Sequence, residues 1–87
     1  MTEVRLTAEQ REAAEAAVRT FVEVASRVPE PYQQILYLRE LQGLSAEEIS
    51  QALSLSHASV ELLFAEARKR FKRAYLAQVS EQEPIAV

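Results

Sequence analysis

The sequence predicts an all-α fold: one small four-helix domain whose third and fourth helices form a helix-turn-helix. Three observations carry this expectation. Apolar residues recur at three- and four-residue spacing along most of the chain, the period of a helix face. Two stretches, Thr7–Gln10 and Ser45–Glu48, have the form of a helix-starting capping box. Gly43 is the only glycine and Asp is absent, so the residues that hairpins lean on are scarce.

The first helix is expected from about Thr7 to Arg27. Thr7 caps it, Gln10 completes the box, and Ala and Glu dominate the segment that follows. Ala14, Ala17, Val18, Phe21, Val22 and Ala25 line up as its apolar face. Pro29-Glu30-Pro31 interrupts. The second helix is expected from Pro31, which suits a first turn because its missing N–H is not needed there, to Leu41. Tyr32, Ile35, Leu36 and Leu38 supply its apolar positions, and Gly43 ends it with a positive φ.

Ser45 and Glu48 open a short third helix, Ala46 to Leu53, with Ile49 and Leu53 facing inward. Ser54-Leu55-Ser56 makes a tight turn and Ser56 caps the fourth helix. That helix is expected from His57 to Val79, with Val60, Phe64, Ala67 and Phe71 on one face and Tyr75 continuing it. The domain then spans residues 1–79, and 80–87 read as a flexible tail.

Composition narrows the functional classes. In 87 residues, 48% hydrophobic and 26% charged, the balance is globular rather than disordered. Without Cys there is no disulfide framework, thiolate metal site or thiol nucleophile. A single glycine excludes Gly-rich phosphate loops. No apolar run approaches the roughly 20 residues of a bilayer span, and no basic-then-apolar leader opens the chain. No membrane is therefore expected as a partner, and the cytoplasm is the default compartment. The net charge of −3 does not by itself suggest nucleic acid.

Residues 45–70 have the outline of a helix-turn-helix. Ile49 is followed by the small Ser50, where a second helix must cross closely, and Leu53, Leu55, Val60 and Phe64 complete the core of the motif. Ser54 stands where glycine is commoner at the turn, which is tolerable if its backbone is not far into the left-handed region.

The stretch Val28-Pro29-Glu30-Pro31-Tyr32-Gln33-Gln34-Ile35-Leu36-Tyr37-Leu38-Arg39-Glu40-Leu41-Gln42-Gly43-Leu44-Ser45-Ala46-Glu47-Glu48-Ile49 resembles region 4 of bacterial sigma-70-type factors, those of the extracytoplasmic-function group above all. The resemblance continues through Ala52-Leu53-Ser54-Leu55-Ser56 and Ala67-Arg68-Lys69-Arg70, covering about residues 28–73. It implies a module that docks the flap of the RNA polymerase β subunit and reads the promoter −35 element through a recognition helix, here His57 to Arg70. Glu30 to Leu41 would belong to the surface that meets the flap. The family's −10-melting module has no room in 87 residues, so a free-standing region 4 or a piece of a longer sigma factor is expected.

The recognition helix departs from that pattern. Where polar or basic residues usually follow the position of Val60, this chain has Glu61, Leu62, Leu63, Ala65 and Glu66. Two carboxylates there would face a duplex carrying one charge per roughly 1.7 Å of axis. Two readings stand open for the leucines: packing against a helix of this domain, the first helix being a candidate cover for Leu63, or an exposed apolar patch that meets protein. Arg68, Lys69, Arg70, Lys72 and Arg73 hold five of the ten Lys and Arg, whereas residues 1–67 carry five basic and eleven acidic side chains. This strip reads either as phosphate contacts or as a solvated face that complements the helix dipole and the acidic first helix.

No enzyme is expected. His57, the only histidine, sits at a helix start, and no nucleophile–base pair, metal cluster or cofactor site assembles from the sequence. Tyr32, Tyr37 and Tyr75 read as amphipathic rim residues. The expected function is a transcription-regulatory helix-turn-helix that contacts RNA polymerase, another transcription protein or a second copy of itself. The alternative is a module bound with weak specificity to −35-type duplex DNA.

Overall fold

In a computed structural model that describes residues 5–82, four helices follow one another: α1 (Ala8–Ala25), α2 (Tyr32–Leu36, extended by a π-helical turn Tyr37–Leu41), α3 (Ala46–Leu53) and α4 (His57–Gln82). No strand occurs among the described residues. Both expected capping boxes are present. Gln10 N–H donates to Thr7 Oγ1 at 3.1 Å and Glu48 N–H to Ser45 Oγ at 3.1 Å, with the Gln10 and Glu48 side chains accepting from the cap backbones. Ser56 caps α4, accepting from Ser59 N–H at 3.1 Å.

The core is small and lies where α2, α3 and α4 meet. Ile35, Ile49 and Ala67 are wholly buried, with Leu36, Val60 and Val28 almost so. The buried seam of α4 runs Val60, Phe64, Ala67, Phe71, Ala74, Gln78, an alternation of four and three residues that keeps one side of a long helix against its neighbours. That repeat corrects the expectation for Tyr75. It falls one position off the seam and is 42% exposed, and Ala74 and Gln78 take its place.

Several boundaries shift for identifiable reasons. α1 ends at Ala25 rather than Arg27, and Pro31 caps α2 instead of entering it. α2 finishes in a wider turn than an α-helix allows. Gln42 N–H donates to the Tyr37 carbonyl and Leu44 N–H to the Leu38 carbonyl, both at 3.0 Å, closing on Gly43 at φ +69° as expected. α4 continues through Gln82, so residues 80–82 are helix and not tail; residues 83–87 lie outside the described residues. The end of α4 is tied back to α1 by Gln78 Nε2 donating to Glu23 at 3.4 Å, and to the connection after α1 by Arg27–Glu81 at 3.3 Å.

The apolar face expected of α1 is only partly used. Val24 and Ala25 are fully buried and Phe21 half-buried, but Ala14, Ala17, Val18 and Val22 are exposed. Phe21 stacks on Phe71 at 5.1 Å between ring centres and meets Tyr37 edge-on at 6.3 Å. Beyond Phe21 toward its N-terminus α1 leaves the body, and every residue from Ala8 to Thr20 is exposed. The molecule is accordingly flat, 48 × 45 × 14 Å, with a radius of gyration of 16.0 Å. A compact domain of this length has about 12 Å.

Ser54 lies squarely in the left-handed region, at φ 55° and ψ 43°. A left-handed residue with a Cβ costs roughly 1–2 kcal/mol, of which glycine's greater chain entropy gives back about half. Ser54→Gly is expected to stabilise the fold by about 0.5 kcal/mol, read as a higher urea midpoint at unchanged m-value. At the α3 cap, the Ser45 N–H that donates to Glu48, and then the Ser45 hydroxyl, hold the Glu48 carboxyl below its usual range. A depressed folded-state pKa supplies stability above the unfolded value and loses it as pH falls through the folded one. Glu48→Gln keeps an acceptor at the cap without the titration. Its denaturation midpoint should fall less than the wild type's between neutral pH and pH about 3.

Candidate interaction face of the helix-turn-helix

The turn between α3 and α4 is closed by Ser50. Its hydroxyl donates to the Leu55 carbonyl, and Leu55 N–H returns a bond to the Ser50 carbonyl at 3.0 Å. The small residue that lets the helices cross therefore also clamps the turn, a role its size alone did not suggest. Ile49 and Val60 are buried beneath that crossing, and Leu53, Leu55 and Phe64 are half-buried around it.

Burying the seam through Val60 and Phe64 sets which stripe of α4 faces out. Ala58, Leu62, Ala65, Lys69 and Lys72 lie opposite at helical spacing, and all are exposed. Leu62 is 73% exposed, the most of any large apolar side chain described. Glu61 and Ala65 beside it are also exposed. Leu63 differs: it is half-buried against the core, at the inner side of a hollow that Tyr32, Leu55 and Leu62 also line. The cover for Leu63 is thus α2 and the turn rather than α1, whose aromatic contacts are to Tyr37 and Phe71. Glu66 is half-buried and pairs with Arg70 at 3.2 Å, one turn on.

The five cations divide by direction. Arg68, Lys69 and Lys72 border a groove floored by Phe21, Leu36 and Phe71. Arg70 and Arg73 lie on the other flank, near Arg27 and Pro29. Arg70 also sits over the Tyr32 ring at 4.5 Å, and Arg39 and Arg68 lie against Phe64 at 5.2 and 5.8 Å. Arg70 and Arg68 are therefore engaged in the fold, whereas Lys69, Lys72 and Arg73 are exposed and make no ion pair among the described residues. Among the described residues the acidic first helix makes no ion pair with the strip; its polar contact with α4 is Glu23 accepting from Gln78, near the end of that helix.

Sequence periodicity missed Val24, Val28, Gln78 and the contact of Arg39 with Phe64. Val24 was legible as the i+3 partner of Phe21, and Gln78 as the i+7 partner of Phe71. Val28 lies in a connection with no period, and the Arg39 contact depends on the π turn. Among the described residues no group of His or Glu could hold a metal ion, and no helix is long and apolar enough to cross a membrane.

The two leucines give a direct check of this geometry. Leu63→Ala should cost about 2 kcal/mol or more, and Leu62→Ala less than about 0.5 kcal/mol, in urea denaturation.

A family model described as Sigma-70, region 4 matches residues 18–71. No curated protein and no solved structure matches the chain.

Proposed function

The chain belongs to the sigma-70 region 4 family, and from that premise we propose that its recognition helix meets a protein of the transcription machinery rather than the edges of bases. The family makes this a transcription-related helix-turn-helix. The finer assignment rests on Leu62, 73% exposed at the centre of the outward stripe of α4. Around it stand Ala58, Glu61 and Ala65, and the first cations on that helix come only at Arg68 and Lys69.

Major-groove readers place hydrogen-bonding and cationic side chains on the N-terminal part of this helix. Ala58, Leu62 and Ala65 can donate to neither base nor phosphate, and Glu61 repels the backbone. The same four residues suit a protein surface whose centre is apolar and whose edge is basic, since interface cores exclude charge and gain from burying apolar area. RNA polymerase, the family's partner, or a transcription protein bound to it is the occupant this reading assigns. The role is non-enzymatic: the helix supplies shape, apolar area and charge.

A second reading is favoured by Lys69, Lys72 and Arg73, exposed and without an ion pair among the described residues, further along α4. In that reading the module lies on −35-type duplex, held by phosphate contacts. The two readings separate in a duplex titration at low salt. Protein contact predicts weak, salt-steep binding with no preference between a −35-type and a scrambled duplex, carried by Lys69, Lys72 and Arg73. It also predicts that Glu61→Lys with Leu62→Arg, which places two cations on the outward stripe, raises duplex affinity at least about tenfold and steepens the salt slope by about 1.8. The same variant should lose co-purification with RNA polymerase while keeping wild-type helicity. A preference above about tenfold for the −35-type duplex in the wild type would overturn the protein-contact reading in favour of the second.

A further inference from the structure

The outward stripe of α4 leaves two other features unused: the projecting half of α1, and the groove beside the point where it leaves the body. All thirteen residues from Ala8 to Thr20 are exposed, and Val18 is 48% exposed. A helical stretch of this length is marginal in water without a surface to lie on. Its Ala13, Ala14, Ala17 and Val18 continue the line of Phe21 along one face. Phe21 is also part of the groove floor, with Leu36 and Phe71. The groove encloses about 490 Å³ and is rimmed by Arg68, Lys69 and Lys72 against a single acid, Glu40.

We infer that the groove receives the projecting half of α1 from a second copy of this chain, so that two copies exchange arms about a two-fold axis. The arm cannot fill its own groove, because α1 is one continuous helix and carries the arm away from the body at Phe21. A second arm arriving antiparallel can lie on that floor, and the two-fold operation then fills both grooves at once, the closed arrangement commonest among homo-oligomers. Charge favours this occupant. The arm carries Glu9, Glu12 and Glu15 against Arg11 and Arg19, whereas the groove rim carries three cations against one acid. None of these three glutamates, nor Lys69 or Lys72, makes an ion pair among the described residues. The flatness of the single chain follows, since half of α1 packs only in the pair.

The groove shares Lys69 and Lys72 with the outward stripe but not Leu62, and the test keeps the two apart. Sedimentation equilibrium, free of nucleic acid and at about 100 µM chain, should give twice the 9.8 kDa chain mass. Glu12→Lys with Glu15→Lys, and separately Lys69→Glu with Lys72→Glu, should each weaken the dimer at least about tenfold. Combining the four reversals should restore it. All four positions are exposed, so helicity by circular dichroism should not change. Leu62→Arg should leave the dimer intact. In mixed dimers, a spin label on Ala17→Cys in one copy should broaden the amide signals of Phe71 and Lys72 in the unlabelled copy. A wild-type monomer at that concentration overturns the inference. So does a dimer that neither double reversal weakens, or one in which the label broadens signals elsewhere, as another protein or an α4-to-α4 contact would produce.

Discussion

The clamp at the α3–α4 turn governs this structure. A left-handed residue at Ser54 reverses the chain in three residues, and Ser50 ties the far side of the turn to Leu55 through both its hydroxyl and its carbonyl. With the turn closed, α4 has one rotation that buries Val60 over Ile49. The seam of alternating four and three residues then carries that choice along the helix through Phe71 to Gln78. Which side chains point to solvent is decided here, at a turn that itself meets no partner.

Once the rotation of α4 is set, neighbouring residues of similar chemistry separate. Leu62 and Leu63 are adjacent in the chain, yet one is the most exposed large apolar residue described and the other lies against the core. Arg68 and Arg70 divide in the same way, toward the groove beside Phe71 and toward Tyr32. A basic run of five therefore does not act as one surface. Two members stack on aromatic rings, and the exposed remainder follows an apolar and acidic first half. The net charge of −3 belongs in part to that first half, on the helix that a DNA reader would present to phosphate.

α1 shows the opposite case, in which local sequence and tertiary packing part company. Its capping box, its Ala- and Glu-rich composition and its apolar period all specify a helix, and a helix forms from Ala8. Nothing local says how much of that face will find a neighbour. Packing ends at Phe21, whose ring meets those of Phe71 and Tyr37, and every residue from Ala8 to Thr20 is exposed. At the other end, Val28 enters the core from an aperiodic connection, where no pattern could mark it. The π turn of α2 was equally silent in the sequence. It adds a residue to the turn before Gly43, and Arg39 comes to rest against Phe64.

By itself the sequence determined the number, order and type of the helices, both capping boxes, the positive φ of Gly43 and the family of the helix-turn-helix. These depend on caps, spacing and backbone sterics that act within a few residues. Only the tertiary structure decided which of two leucines faces solvent, which cations are stacked on rings, how far α4 runs and where α1 loses its cover. Each of those depends on the rotation of one helix against another. A period of 3.6 names a face but not its neighbour, and the neighbour is set by long-range contacts among Ile35, Ile49, Val60 and Phe71.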